Sequence, residues 1–366
     1  MRILVFNWRD LKHEWSGGSE VYITELAKRW VKLGHTVTLF CGQGLENNLP
    51  TEEVLDGIKI IRRGGKYSLY LWAPFYYLTH LRSSFDLIVD AQNGIPFFST
   101  VFARIPVVAI VHHVHGKQFF VELPTPFNLI GYCVERFLFP VFYRNTRIIA
   151  VSKTTKEKLV DSGLPEKNIS VIYNGVNFLG NSGARHEFVH PTILYLGRIK
   201  IYKRVHLLIE LMPKIISKIP NVRLLIAGWG TEGAFVTDIS MKKGLRKKVK
   251  ILGPVSDAER NRLFSKAWLF VNPSMAEGWG ISVIEANFFG TPAVAYNVPG
   301  FSESIRDGET GLLAANDETF VAAIVKILSD RALRNKFSNN ARKWSAKFDW
   351  EKSARESLTI LQELTR

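Results

Sequence analysis

The first forty residues constrain the fold more than any other stretch. Arg2–Phe6 is a brief apolar run, and a polar loop leads from it to Ser16-Gly17-Gly18-Ser19. Apolar residues then recur at Val21, Leu26, Trp30, Val31 and Leu33 until Gly34, after which Thr36–Phe40 is β-branched and apolar. Strand, glycine loop, helix and strand in that order open a Rossmann-like βαβ unit. The loop carries no G-x-G-x-x-G and no acid ends the second strand, which argues against a dehydrogenase. The Gly17-Gly18 pair can bring backbone N–H groups close to a phosphate, with a flexible turn as the competing reading.

The same alternation continues. Ile58–Arg62, Leu87–Val89 (running into Asp90 and Gln92-Asn93-Gly94), Val107–Val111, Arg147–Val151 and Ile169–Tyr173 read as strands. Ser152 is placed to cap a helix that runs to Asp161. Val107–Val111 leads directly into His112-His113-Val114-His115-Gly116. Three histidines with no acid or cysteine beside them make a poor metal site, and one imidazole facing a substrate is the simpler expectation. The polar, glycine-bearing stretch 178–190 is the expected linker.

A second series begins at Thr192. Ile193–Leu196 leads to Gly197-Arg198, with Lys203 five residues later, and a helix is expected over Val205–Lys218. Val222–Ala227 opens on Gly228-Trp229-Gly230, Val249–Leu252 on Gly253-Pro254-Val255, and Trp268–Asn272 on the loop holding Glu277; Ala293–Tyr296 follows. At 366 residues the chain is long enough for two such domains, each with its own core and with a cleft between them.

Ser274–Pro292 concentrates the chemistry. Glu277 and Glu285 are eight residues apart, Gly278 and Gly280 follow the first acid, and Gly290-Thr291-Pro292 closes the segment. A glycine loop feeds a helix expected over Val283–Phe289 with Ser282 as its cap. Such a helix start offers unpaired N–H groups and the positive end of the dipole to an anion. Glu285, about one turn in, can accept hydrogen bonds from hydroxyls of the same ligand, so a phosphorylated sugar or ribose suits the segment better than bare phosphate. A glycine turn with two surface glutamates is the competing reading. Arg198 and Lys203 at another strand end combine a planar fork with a point charge, a pairing suited to a diphosphate.

The net charge of +15 implies an anionic partner: a membrane leaflet, nucleic acid or phosphorylated substrates. Lys66–Phe85 interleaves Tyr70, Trp72, Tyr76 and Tyr77 with Lys66, His80 and Arg82, a composition suited to a membrane interface, although Pro74 breaks its helical regularity. Phe119–Tyr143 is dense in aromatic residues and reads as an acceptor-side wall, a membrane-leaning surface or plain core. The two cysteines, Cys41 and Cys133, suggest neither a disulfide framework nor a zinc site. The N-terminal apolar run is too short for a signal peptide and no spanning helix is evident, so a cytoplasmic location is expected.

EGWGISVIEANFFGTPAV resembles the E-x7-E signature of retaining glycosyltransferases of the GT-B fold, glycosyltransferase family 4, and GRIKIYKR is similar to the G-R-x4-K element of that family. The resemblance implies two Rossmann-like parallel-sheet domains facing each other across a cleft. They would be 1–178 on the acceptor side and 191–349 on the donor side, joined by 179–190, with a last helix over 350–366 packing back on the first. It implies that Gly17 and Gly18 approach the phosphate or sugar, Arg198 and Lys203 hold the diphosphate, and Glu285 binds the ribose. Glu277 would contact the transferred sugar beside the backbone of Gly278, Trp279, Gly280, Ile281 and Ser282. Val255 would present backbone to the base, and His112 would face the sugar, with His113 and His115 as rivals. Gly228-Trp229-Gly230 departs from the family pattern and puts the base or donor preference in question. No D-x-D occurs, consistent with transfer that uses neither a bound metal nor a cofactor beyond the nucleotide-sugar.

The implied activity moves a hexose, with retention, from a UDP- or GDP-sugar to a hydroxyl of a lipid-linked or polysaccharide acceptor at the cytoplasmic membrane face. Peripheral membrane contact and no nucleic-acid partner are expected. A nucleotide-sugar epimerase on the same architecture and a basic nucleic-acid or lipid-binding protein are the alternatives. The second is disfavoured by charges spread through helices without a nucleic-acid motif.

Overall fold

The computed structural model describes residues 1–44, 48–177 and 187–365. The expected linker 179–190 therefore lies outside the described residues over 179–186. The chain divides into two units, Met1–Gly175 with Asp349–Arg366, and Val176–Phe348.

The first unit contains β1 (Arg2–Phe6), β2 (Thr36–Cys41), β3 (Glu52–Leu55), β4 (Ile58–Arg62), β5 (Leu87–Gln92), β6 (Val107–Val111), β7 (Arg147–Ala150) and β8 (Ile169–Val171). Their order across the sheet is β3-β4-β2-β1-β5-β6-β7-β8. Pairing is parallel throughout except between β3 and β4. Helices cover both faces, so β5 is buried at every residue and its sequence runs apolar rather than alternating. β3 escaped the sequence reading although its turn is marked: Asp56 and Gly57 both have positive φ, the conformation an Asp-Gly hairpin turn demands.

The Gly18–Lys32 helix buries Tyr22, Ile23, Leu26, Ala27 and Trp30, at i, i+3 and i+4 spacing, while Leu33 lies outside it and is exposed. The Trp350–Glu363 helix packs on it: the Trp30 indole N–H reaches the Ser357 hydroxyl at 3.2 Å and the Ala354 carbonyl at 3.3 Å. Pro74 does not break its segment. Leu69–Tyr76 is helical with Pro74 inside, and the coil widens into a π turn over Tyr77–Leu81, an insertion that relieves a disturbed hydrogen-bond ladder. Cys41 is buried and Cys133 exposed, and both are free thiols.

The second unit holds β9 (Thr192–Leu196), β10 (Arg223–Ala227), β11 (Val249–Gly253), β12 (Leu269–Asn272), β13 (Ala293–Tyr296) and β14 (Gly311–Ala314). All are parallel, in the order β11-β10-β9-β12-β13-β14. The helix expected to end at Lys218 spans Val205–Ile216.

Both sheets reverse their winding direction beside their first strand. In the first unit β1 lies between β2 and β5, and in the second β9 lies between β10 and β12. Loops leaving the carboxyl ends of such a strand pair diverge and leave a crevice, where ligands bind in open α/β sheets.

Candidate active site

In the second unit the loops after β9 and β12 flank the switch point, which is why residues 74 positions apart meet. Lys203 forms an ion pair with Glu277, whose carboxylate also accepts from the Ser274 hydroxyl at 3.1 Å. Ser274 is fully buried, and its backbone N–H donates to Asn272 Oδ1 at the end of β12. The loops are laced together by Met275 N–H to the Tyr202 carbonyl at 2.9 Å and by the Arg204 guanidinium to the Pro273 carbonyl at 2.8 Å. Burial works to lower the Lys203 ammonium pKa, but the Glu277 carboxylate and the Tyr202 hydroxyl together raise it, and the net shift is upward. Lys203 therefore stays charged. The Arg198 guanidinium bonds the Tyr202 hydroxyl at 3.2 Å, and its backbone carbonyl is held by the Tyr195 hydroxyl at 2.7 Å.

Close backbone approach sets this geometry. A Cβ on Gly228 would lie 1.9 Å from the Gly197 carbonyl oxygen, and one on Gly230 would lie 2.2 Å from that of Ile199. Only glycine lets the loops after β9 and β10 touch, and Ile199 N–H then reaches the Trp229 carbonyl at 2.8 Å. Gly228 N–H donates to the Gly253 carbonyl at 2.8 Å, bringing the half-buried Val255 into the same row of strand ends.

The Glu277 loop leads into a helix over Ile281–Phe288 whose N-cap is Gly280, at φ +90, not Ser282. Ser282 is the second helical residue, because the turn needs a left-handed residue that glycine supplies without strain. Val283 N–H reaches the Gly280 carbonyl at 2.9 Å, which leaves the Ile281 and Ser282 N–H groups as the first-turn donors without an intrahelical acceptor. Trp279 is only 3% exposed and packs edge-on against Phe348 at 5.0 Å, so its indole is part of the core and it offers only backbone. Glu285 lies one turn into the helix with Arg260 at 3.8 Å. Burial raises its carboxyl pKa, Arg260 opposes the shift, and Asp257 adds to it.

In the first unit, Gly17 precedes the Gly18–Lys32 helix in an extended conformation. Its N–H is already bonded to the Glu20 carboxylate at 2.7 Å, so the first-turn N–H groups from Gly18 onward are the ones left for a ligand. Glu20 is fully buried, pairs with the buried Arg9 at 3.2 Å and accepts from the Ser19 hydroxyl at 3.0 Å. Asn93, from the loop after β5 across the switch point, donates to Ser19 at 2.8 Å. Sequence reasoning missed Glu20 and Arg9, and put Asn93 at a strand end without a partner. Glu20 does carry a signal, since an acid three residues after the N-cap commonly folds back on the cap N–H.

The three histidines have different surroundings. His113 Nε2 bonds Gln118 at 2.8 Å, and Glu135 holds His115 through its backbone N–H at 2.8 Å and its ring at 3.4 Å. His112 packs edge-on against Tyr22 at 5.2 Å, and its buried Nε2 has no hydrogen-bond partner among the described residues. Burial lowers its pKa to about 4, with Glu20 opposing, so the ring is neutral at neutral pH. Between pH 6.5 and about 4 the unfolded chain takes up a proton there that the folded chain refuses. Stability should therefore fall through that window, by about 3 kcal/mol in total. Urea denaturation at pH 7 and pH 4.5 should show a smaller acid loss in His112→Gln than in the parent, and equal losses would overturn this. Among the described residues no group of three or more His, Cys, Asp or Glu is arranged to hold a metal ion.

The sequence matches two family profiles, Glycosyltransferase Family 4 over residues 16–178 and Glycosyl transferases group 1 over residues 187–344. An uncharacterized glycosyltransferase of Methanocaldococcus jannaschii is 27% identical over 98% of this chain and 97% of its own length. Among solved structures, sucrose-phosphate synthase from Thermosynechococcus elongatus superposes with a TM-score of 0.81 at 20% identity, covering 99% of this chain and 98% of that one. Anabaena HepE, in complex with UDP and glucose, gives 0.76 at 18% identity with both chains fully covered. With two parallel-sheet α/β domains of the GT-B fold, the chain belongs to the group 1, family 4 glycosyltransferases.

Proposed function

We propose that this glycosyltransferase moves a hexose, with retention of configuration, from a UDP- or GDP-sugar to a hydroxyl of a lipid-linked or polysaccharide acceptor at a membrane face. The observation that carries the donor assignment is the Lys203–Glu277 pair at the switch point, with Arg198 beside it and the Gly280 helix start behind it. Arg198 and Lys203 are cations aimed where charge builds as the C1–O bond to phosphate breaks, and such donors stabilise the transition state more than the ground state. Glu277 takes the sugar hydroxyls and Glu285 the ribose. Neither serves as the base, since Glu277 is engaged by Lys203 and Ser274 and Glu285 faces Arg260. The acceptor oxygen attacks C1 on the face the diphosphate leaves, and the departing phosphate oxygen takes the acceptor proton. His112, neutral at its strand end, is the imidazole assigned to the transferred sugar. HepE in complex with UDP and glucose supports a nucleotide-sugar donor here.

The membrane part rests on the first unit. Tyr67, Leu71, Trp72, Phe75 and Leu78 are exposed along one segment, and Phe127, Ile130, Phe137 and Val141 along another. Exposed apolar surface on this scale marks an interaction site, and the exposed Lys66, Lys117, Arg136 and Arg144 lie in or near these segments along the chain. No described helix is long and apolar enough to cross a membrane, so the contact proposed is peripheral.

Incubating the protein with UDP- and GDP-hexoses should release nucleoside diphosphate for one base, faster when acceptor lipid is added. Release of neither, with no binding of UDP or GDP, would overturn the donor assignment. Vesicles with anionic lipid should co-sediment the protein at low salt and release it as salt rises. No co-sedimentation would remove the lipid acceptor.

A further inference from the structure

One strip of surface in the first unit joins the Gly17 loop to the exposed apolar segments, and its chemistry changes in a definite order. Trp15 lies two residues before Gly17. The Lys66 ammonium sits 5.6 Å from the Trp15 ring centre and 5.0 Å from that of Tyr67. Tyr67 stacks on Phe127 at 5.8 Å and 14°. Phe127 opens the helix that carries exposed Leu129 and Ile130. Behind the strip, the Trp8 indole N–H donates to the Lys66 carbonyl at 3.3 Å, and the Arg9 guanidinium lies over the Trp8 ring at 4.1 Å. The lysine's position is thus braced by the same β1 loop that leads to Gly17.

Lys66 is exposed, and no carboxylate pairs with it among the described residues. Two aromatic faces attract the ammonium and place it without neutralising its charge. An ammonium so placed is a point charge for a phosphate. The rings beside it offer flat apolar faces to a sugar or to the first methylenes of a chain. Beyond Phe127 the surface is apolar.

A loop with first-turn N–H groups left for a ligand, an exposed ammonium and an apolar surface follow one another here, in the order in which hydroxyl, phosphate and hydrocarbon follow one another in a phosphate-bearing lipid. We propose that Trp15, Lys66, Tyr67 and Phe127 form the headgroup site for such a lipid, which presents its hydroxyl end toward the Gly17–Gly18 loop. The proposal rests on the lipid-acceptor reading and narrows it: the acceptor carries a phosphate between its hydroxyl and its chain, and a neutral polysaccharide has no use for this strip.

The test uses decyl phosphate below its micelle concentration, with decanol and inorganic phosphate as comparison probes, titrated into the full chain. Decyl phosphate should bind at least tenfold more tightly than decanol. Lys66→Gln should remove that advantage while decanol binding stays as before, and Phe127→Ser should weaken both amphiphiles. Inorganic phosphate should not displace decyl phosphate at equal concentration. Equal affinity for decyl phosphate and decanol, an unchanged affinity in Lys66→Gln, or displacement by inorganic phosphate would each overturn the headgroup site. Both substitutions are at exposed positions, and UDP and GDP affinities are measured alongside. A variant that keeps nucleotide binding but loses decyl phosphate supports the site. A parent that binds decyl phosphate but no nucleotide refutes the donor reading and leaves the headgroup site standing.

Discussion

Lys203→Ala is expected to lower kcat/KM by about 10²–10³-fold, the effect of removing one preorganised donor from a developing negative charge. It should also weaken UDP or GDP binding, because the diphosphate loses a fixed cation. The structure adds a second consequence. Lys203 and Glu277 are only 12% and 15% exposed, so truncating one leaves the other desolvated without its partner. Stability should fall by about 3 kcal/mol, at the lower end for breaking a buried pair. Adding Glu277→Gln neutralises the stranded charge and should restore much of the stability but none of the activity. Kinetics and thermal melting of the two single variants and the double variant check this. Activity in Lys203→Ala within threefold of the parent would sink the assignment. The upward shift of the Lys203 pKa also means that a loss of activity in the basic range up to pH 9 must come from another group.

Gly228→Ala should be among the most damaging single methyl additions in the second unit. Gly228 has φ +128, and the added Cβ would sit 1.9 Å from a backbone carbonyl oxygen that cannot rotate away. The loops after β9 and β10 would have to part, breaking the Ile199–Trp229 and Gly197–Ala227 hydrogen bonds and moving Arg198 with them. A loss of about 4 kcal/mol is expected, which lowers the melting temperature by on the order of 10 °C. Gly233→Ala is the matched control. Gly233 begins a helix and has nothing within 4 Å of an added Cβ, so its stability should change by less than about 1 kcal/mol. Melting curves with and without UDP separate the two effects: Gly228→Ala should lose both stability and stabilisation by nucleotide. If Gly228→Ala and Gly233→Ala melt together, the close approach does not constrain the site.

The strands were legible because burial on both faces writes itself as short apolar runs. β1, β4, β6 and β13 begin and end where those runs do. β3 was not legible, since Glu52-Glu53 at a sheet edge carries no apolar run and only the Asp-Gly turn marks it. The cap of the Glu277 helix was misread for a physical reason. Ser282 has the right chemistry for a cap, but the loop arrives with a left-handed turn that places glycine at that position instead. The place of the Trp279 ring was not legible either, because only the tertiary structure brings it against Phe348.

By itself the sequence determined the fold class and the chemical classes at the strand ends: cations after β9, acids and a glycine turn after β12, imidazoles after β6. These follow from local periodicity and from residue types that have few other uses. Tertiary structure decided which of those groups are engaged and by what. Lys203 meets Glu277 only because the sheet reverses direction between β9 and β12, and of the three histidines His113 and His115 are engaged by Gln118 and Glu135 while His112 Nε2 has no partner among the described residues. Pairing of this kind depends on strand order, which no local pattern along the chain encodes.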